Sequence, residues 1–341
     1  MKTITQSRLR AWRKCSRMHH LRYVEGWQTT KTQEALDYGT LIHRAIGAFW
    51  LGENWVVLLQ DSLKTGTDPV QIAKAVTVMD AYAWTWSDRA RYEVLAVEAP
   101  FRTPVINPET MRASQTYELE GKIDLLLRER ATGAVILVEH KSTADNFEDD
   151  AAPYWDRIAM DTQLSLYVIG AESLGYQVDK IIYDVVARPS HRPHSATPEE
   201  ARKYTKAGKL YANQRERDET PHEFTRRMRE MVEANPGKFS RRREFARLDN
   251  EIREAMADLW HDARMIREAE IAGRAPRNPD ACHQYGTCAF YDICAFGTDP
   301  SNSSLYRRLD DVNPELAGES TAQVQRSALP TSLVSTLETQ S

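Results

Sequence analysis

Apolar residues recur at intervals of three and four along residues 6–23 and again along 34–60, where Leu36, Leu41, Ile42, Ala45, Ile46, Phe49 and Trp50 fall on one helical stripe. The same period runs through VQIAKAVTVMDAYAWTWSDRA at 70–90, so an α-helical opening is expected. The pattern then shortens. YEVLAVEAPFR at 92–102, YELEGKIDLLLRE at 117–129 and GAVILVEHKST at 133–143 are alternating or continuously apolar and rich in Val, Ile and Leu, which predicts strands. The link Glu129–Gly133 has hairpin length with glycine at its end, so the last two strands are expected to pair as a meander. Helical spacing returns at 156–174 and stops at Gly175, and KIIYDVVA at 180–187 reads as a further strand.

After Arg188 the chain enters the Pro/Ser/His loop PSHRPHSATPEE, then a polar helix reaching Asn235 and a strongly charged helix from about 244 to 272. Gly273–Pro279 is a breaker cluster. Beyond Gly297 the composition turns to Ser, Thr, Asn, Gln and Pro. The organisation expected is a helical region over 1–90 carrying Cys15 and His43, a core over 91–190, a basic helical region with three cysteines over 191–297, and a polar flexible tail over 298–341. No fixed-period repeat is visible.

The chain has 341 residues, 41% of them hydrophobic and 28% charged, enough for a large core in one elaborated domain or two. Its longest apolar stretches, such as Ala134–Val138, are strand-sized, which excludes a spanning helix. The basic N-terminus lacks the apolar segment of a secretory signal, and a cytoplasmic location is expected. The net charge of −4 conceals a polarised distribution: Lys2–Tyr23 holds seven Lys/Arg and no acid, and Lys238–Arg247 holds five bases against Glu244 alone. Solvated helix faces would explain either patch alone; together they are what a phosphate backbone attracts.

The chemistry concentrates in EGKIDLLLRERATGAVILVEHKST. Asp124 lies on one expected strand, and Glu139 and Lys141 stand two apart on the next, so their side chains leave one face. Two carboxylates form an oxygen-rich site for a hard divalent cation, which can polarise a phosphoryl oxygen and acidify water. Lys141 would neutralise phosphate charge or orient the nucleophile. His140 turns its side chain away but offers its backbone carbonyl. A surface ion pair is the plain alternative for Glu139 and Lys141. The apolar run Val135–Val138 argues against it, because a buried strand that ends in charged residues is where open sheets place sites.

Asp124 followed after a hairpin by Glu139-His140-Lys141 resembles the D…E-x-K core of the PD-(D/E)XK nuclease superfamily. Gly39-Thr40-Leu41-Ile42-His43 and Gln163-Leu-Ser-Leu-Tyr167 resemble, respectively, the early histidine motif and the Q-x-x-x-Y helix of its RecB-like branch. The resemblance spans residues 5–296. It implies an α/β, restriction-endonuclease-like core, a small mixed β-sheet flanked by helices. It implies Asp124, Glu139, Lys141, Gln163 and Tyr167 as catalytic residues, with His43, Asp124, Glu139 and the His140 carbonyl holding Mg²⁺ or Mn²⁺. Glu98 resembles a less constant acid of the same branch and is placed second.

Three cysteines, Cys282, Cys288 and Cys294, follow C-x5-C-x5-C spacing, and Cys15 stands near the other end. Four thiolates suit zinc or a [4Fe–4S] cluster, and spacing alone does not choose. The resemblance to RecB-like proteins of the AddB and CRISPR-associated types, with one cysteine upstream of the core and three downstream, implies a [4Fe–4S] cluster joining the helical N- and C-terminal parts.

Nucleic-acid contact is expected from Arg13, Lys14 and Arg241–Arg243, and more widely from residues 200–247, where Lys203, Lys206, Lys209, Arg226 and Arg227 are interleaved with Tyr204, Tyr211, Phe224, Phe239 and Phe245. Core packing is the alternative for the aromatics. The resemblance implies a metal-dependent DNA exonuclease acting on single-stranded or resected ends, in a recombination or repair setting that extends to a phage-encoded one. Its partners would be a single-strand annealing protein or recombinase. No G-x-x-x-x-G-K-[ST] run occurs, so ATP-driven unwinding would need a separate helicase. The rival readings are a DNA-end-binding protein with a degenerate site, an endonuclease or RNA-directed enzyme of the same fold, and a zinc protein using the same cysteines.

Overall fold

The computed structural model of the protein describes residues 1–30, 34–284 and 286–316. In chain order its elements are β1 (Lys2–Ile4), α1 (Gln6–Lys14), α2 (Ser16–His19), β2 (Trp27–Thr29), α3 (Glu34–Leu51), α4 (Trp55–Asp61), α5 (Pro69–Thr85), β3 (Tyr92–Ile106), β4 (Ala113–Glu129), β5 (Val135–Thr143), α6 (Pro153–Ala159), α7 (Thr162–Ser173), β6 (Lys180–Ala187), α8 (Pro221–Ala234), β7 (Ser240–Phe245), α9 (Asp249–Ala272), α10 (Tyr291–Phe296) and β8 (Tyr306–Arg308). Helix starts follow local chemistry: Asp68 caps α5 ahead of Pro69, Asp161 accepts from the Gln163 N–H at the start of α7, and Thr220 and Glu223 form a capping box on α8.

The main sheet is mixed, in the order β1-β4-β5-β6-β7, with β3 on β4 as well. β3 runs antiparallel along nearly all of β4, so β1 and β5 must share the other edge. β1 pairs in parallel with Tyr117–Leu119, and β5 pairs antiparallel beginning at Leu125↔Val138. Residues 120–124 of β4 are therefore left open on that edge, and the cleft forms there. Helices α3, α5 and α8 cover one face with Leu125, Leu127, Ile136, Val138, Ile182 and Val186 beneath them. Helices α6, α7 and α9 cover the other face over Ile123, Leu126, Leu137, Ile181 and Val185. The outcome is the expected small mixed sheet flanked by helices.

Several short elements depart from the sequence expectation. The opening is not wholly helical, because β1 precedes α1 and β2 pairs antiparallel with β8. Residues 298–316, expected in the flexible tail, carry β8 and bury Tyr306 against Leu21 and Phe290; residues 317–341 lie outside the described residues. Residues 240–245, expected as a basic stretch leading into the charged helix, form a strand antiparallel to β6. Aromatic partners explain this: Arg242 lies 4.2 Å from the Trp86 ring centre and pairs with Asp88, and Arg243 lies 5.6 Å over Trp155. A short 3-10 turn at Glu199–Ala201 and a β-bridge between Tyr204 and Leu210 stand where the helix was expected, which begins only at Pro221.

Phe101 is clamped between two glycines. A Cβ at Gly121 would come within 2.6 Å of its ring and one at Gly170 within 2.7 Å, while Tyr167 meets the same ring edge-on at 5.7 Å. Gly121→Ala and Gly170→Ala should each destabilise the protein by about 1–3 kcal/mol through overpacking, read from urea midpoints. Combining either with Phe101→Leu should recover part of the loss, since the clash is with that ring.

Candidate metal centre and active-site cleft

Residues 117–124 alternate strictly: Tyr117, Leu119, Gly121 and Ile123 are buried, and Glu118, Glu120, Lys122 and Asp124 are partly buried. Glu120, Lys122 and Asp124 line a cleft of about 1110 Å³. The strands part at Asp124, and its Oδ2 accepts the His140 backbone N–H at 2.8 Å in place of a ladder bond. The carboxylate is thereby fixed at the point where β5 brings in Glu139 and Lys141.

His43, from α3, places Nδ1 3.6 Å from Asp124 Oδ1 and 3.8 Å from Glu98 Oε1. Ligand atoms of His43, Glu98 and Asp124 all lie within 4.8 Å of one another, a group able to hold a metal ion. Burial alone would lower the His43 pKa, but the Asp124 and Glu98 carboxylates outweigh it and raise it above the usual imidazole value. Burial likewise opposes ionisation of Glu98, yet hydrogen bonds with His43 and Lys122, the latter at 2.7 Å, bring its carboxyl down to about 2. Glu98 sits at φ 50°, a left-handed conformation unusual for a side chain of this kind, and the strain places its carboxylate in the cleft.

Glu139 is 1% exposed. Its Oε1 contacts the Lys141 ammonium and accepts from Gln163 Nε2 at 2.7 Å, whereas its buried Oε2 has no hydrogen-bond partner. Burial first, and the charge of Asp124 second, push its carboxyl up to about 7. Lys141 is held above its ordinary range because Glu139 and Asp124 outweigh its own burial. An orphaned carboxylate oxygen beside a His/Glu/Asp group is an oxygen-rich donor set suited to a hard divalent cation. Gln163 and Tyr167 lie on the cleft side of α7. The His140 ring lies behind the group, with Nδ1 3.8 Å from Asp124 Oδ2 and the ring set edge-to-face with that of His43, while Nε2 is 3.1 Å from the Tyr82 hydroxyl and 3.5 Å from Asp184 Oδ2; Trp86 Nε1 donates to the same Asp184 oxygen. This buried network backs the strand that carries Glu139 and Lys141.

Cys15 sits at the extended break between α1 and α2, where Asn278 donates its N–H to the sulfur at 3.4 Å and its side-chain amide to the Lys14 carbonyl. Arg17 N–H donates to the Pro276 carbonyl and Cys288 N–H to the Cys282 carbonyl. None of the four cysteines forms a disulfide, and burial above all, then the neighbouring Cys282 and Cys15, raises the Cys288 thiol. The structure thus brings Cys15 into the neighbourhood of the C-terminal three.

The expected contact arginines are mostly engaged within the protein. Arg13 donates to Asp262 at 2.6 Å, and Arg241 pairs with Asp150. The cations that line the cleft are Arg10, Lys14, Arg44, Lys122, Lys141 and Arg188. Of these, Arg10, Arg44, Lys122 and Arg188 were not singled out by sequence reasoning; for Lys122 the signal was available, two positions before Asp124 on an alternating strand.

A mixed sheet flanked by helices, opened along one strand to gather acids, a histidine and a lysine in a cleft lined by charges of both signs, defines a nuclease class with a restriction-endonuclease-like core. The chain belongs to the PD-(D/E)XK nuclease superfamily, whose sequence profile matches residues 3–295. Members hydrolyse phosphodiester bonds with divalent metals, so this protein is a hydrolase of that kind. No curated protein matches it. Among solved structures it is similar to a Eubacterium rectale protein carrying a provisional exonuclease assignment, with 10% identity, 86% of this chain and 93% of that chain covered, and a TM-score of 0.44. Among the described residues no helix is long and apolar enough to cross a membrane.

Proposed function

We propose that the protein is a Mg²⁺- or Mn²⁺-dependent DNA exonuclease acting on single-stranded or resected ends in recombination or repair. The observation that carries this reading is the partnerless Oε2 of buried Glu139 beside the His43, Glu98 and Asp124 group. His43, Asp124, Glu139 and the His140 carbonyl hold the cation, with Glu98 joining them. The bound ion supplies positive charge to the scissile phosphate and acidity to the attacking water. Lys141, protonated and braced by Glu139, neutralises charge that develops on the phosphate and orients the water. Gln163 holds Glu139 in place through the other oxygen, and Tyr167 closes the cleft wall against Phe101.

The four cysteines hold a [4Fe–4S] cluster in this reading. What supports it is the order of the cysteines, one upstream of the nuclease core and three downstream as in the RecB-like proteins, together with Asn278, four residues before Cys282, donating its N–H to the Cys15 sulfur; four thiolates alone would suit zinc as well. An annealing protein, a recombinase or a separate helicase would supply the ends.

The test is degradation of end-labelled single- and double-stranded DNA and of closed circles by anaerobically purified protein, with Mg²⁺, Mn²⁺ or chelator. Metal-dependent loss of linear strands that stops in Asp124→Ala supports the reading. Nicking of circles would make the protein an endonuclease, and binding without cleavage under either metal would make it a degenerate-site end-binding protein.

A further inference from the structure

Between β6 and α8 the chain makes an excursion that the catalytic centre does not use. It leaves the sheet at the cleft: Arg188, which lines the cleft, donates its N–H to the Thr143 carbonyl two residues beyond Lys141. Its base is fixed. Glu219 and His194 exchange hydrogen bonds at 2.8 Å, Thr197 N–H donates to the Arg215 carbonyl, and Arg227 clamps Glu219 through two bonds at 2.8 Å. Beyond that base the chain folds into a small hairpin in which Thr205 N–H donates to the Lys209 carbonyl and Tyr211 N–H to the Lys203 carbonyl, with Tyr204 bridged to Leu210. Gly208, at φ 73°, makes the reversal.

Two cations of this segment brace its base, Arg202 on the Thr197 and Glu216 carbonyls and Arg215 on Glu223, but among the described residues the lysine and tyrosine side chains of the tip make no such contacts. Residues 201–215 contain five Lys/Arg and no acid. Lys203, Lys206 and Lys209 are exposed and make no ion pair among the described residues. Tyr204 and Tyr211 are 52% and 46% exposed, whereas Phe224 and Phe239, from the same interleaved region, are buried in the core. Two exposed aromatics among unpaired ammonium groups are what a single strand offers complementary partners for, phosphates for the lysines and unpaired base faces for the rings. An acidic protein surface would satisfy the lysines and leave the tyrosines without purpose.

We propose that residues 201–211 are a single-strand-gripping hairpin, in which Lys203, Lys206 and Lys209 hold phosphates and Tyr204 and Tyr211 stack on bases of the strand that runs to the cleft. This rests on the nuclease reading, so binding is measured without chemistry. The probe is a labelled single strand of about 30 nucleotides, long enough to span such a site, titrated with the full chain in chelator, beside an abasic strand of equal length. The triple variant Lys203→Ala/Lys206→Ala/Lys209→Ala should bind both strands roughly tenfold more weakly, and its log–log salt slope should be shallower by about 2. Tyr204→Ala/Tyr211→Ala should weaken the normal strand by about tenfold or more, with the slope and the abasic-strand affinity unchanged. Unchanged circular dichroism and melting would place the effects at the surface. A tyrosine variant that binds both strands like wild type overturns the stacking role and with it the proposal; a lysine variant with unaltered affinity and slope overturns it outright. If wild type grips the strand in chelator yet cuts nothing with metal, the nuclease reading fails while the hairpin stands.

Discussion

Lys141→Met should lower metal-dependent hydrolysis by about 10²–10⁴-fold, the range expected when a group that handles protons or charge in the transition state is removed. The ammonium contacts Glu139 and is held protonated by Glu139 and Asp124 against the cost of its own burial. Methionine keeps the stem's volume and removes only the charge. A second consequence follows for stability in chelator. With Lys141 gone, buried Glu139 loses its cation and its carboxyl moves further up from about 7. An unfolded glutamate ionises near pH ~4.3, so the native state binds more protons over that interval and stability falls as pH rises. In wild type the fall ends near the folded value of about 7, and in the variant it continues beyond. The gap between variant and wild-type denaturation midpoints should therefore widen from pH ~6 to ~8.5, at most about 1.4 kcal/mol per pH unit. Unaltered nuclease rates in Lys141→Met would remove the lysine from the mechanism; a gap constant with pH would mean that Glu139 finds another partner.

The central acids and lysine were legible because alternation in a strand is a local property. Glu120, Lys122 and Asp124 on one strand, and Glu139 and Lys141 on the next, declare their shared faces through spacing alone. Glu98 was harder. Its place depends on the register that sets Val97 against Leu125 and Ala99 against Ile123, and on a left-handed backbone at φ 50°, neither of which sequence periodicity carries. The three-residue strands β1, β2 and β8 are too short to show any period, although β1 defines one end of the open edge on β4. Strand β7 misled for a different reason. Ser-Arg-Arg-Arg-Glu-Phe reads as a solvated basic face, and only tertiary partners such as Asp88, Asp150 and the rings of Trp86 and Trp155 hold those arginines against the sheet surface. The tail boundary failed similarly, since Tyr306 is a single aromatic in a polar stretch whose burial depends on Leu21 and Phe290.

On the proposed cluster assignment, Cys15→Ser should strip the iron from anaerobically purified protein and lower the melting temperature by several degrees. A bond between Cys15 and the C-terminal cysteines would close almost the whole chain into one loop, for which chain entropy alone allows about 5 kcal/mol. The realised gain must be smaller, because other contacts already join the same ends. Buried Arg8 donates to Glu270 at 2.9 Å, Arg13 pairs with Asp262, and Asn278 binds the Lys14 carbonyl. The segment around Cys282–Cys294 has less support, its apolar cluster among the described residues having Leu21, Phe290 and Tyr306 as its buried members. Loss of the cluster should therefore loosen that segment first and leave the sheet folded. Limited proteolysis should cut Cys15→Ser near residues 278–308 at concentrations that spare wild type, while Lys141→Met keeps both iron and resistance. Brown wild-type protein with broad absorption near ~400 nm, lost in Cys15→Ser, is the expected signature. Colourless wild type containing stoichiometric zinc, or Cys15→Ser that retains iron and melts like wild type, would overturn the assignment of these four thiolates to an iron–sulfur cluster.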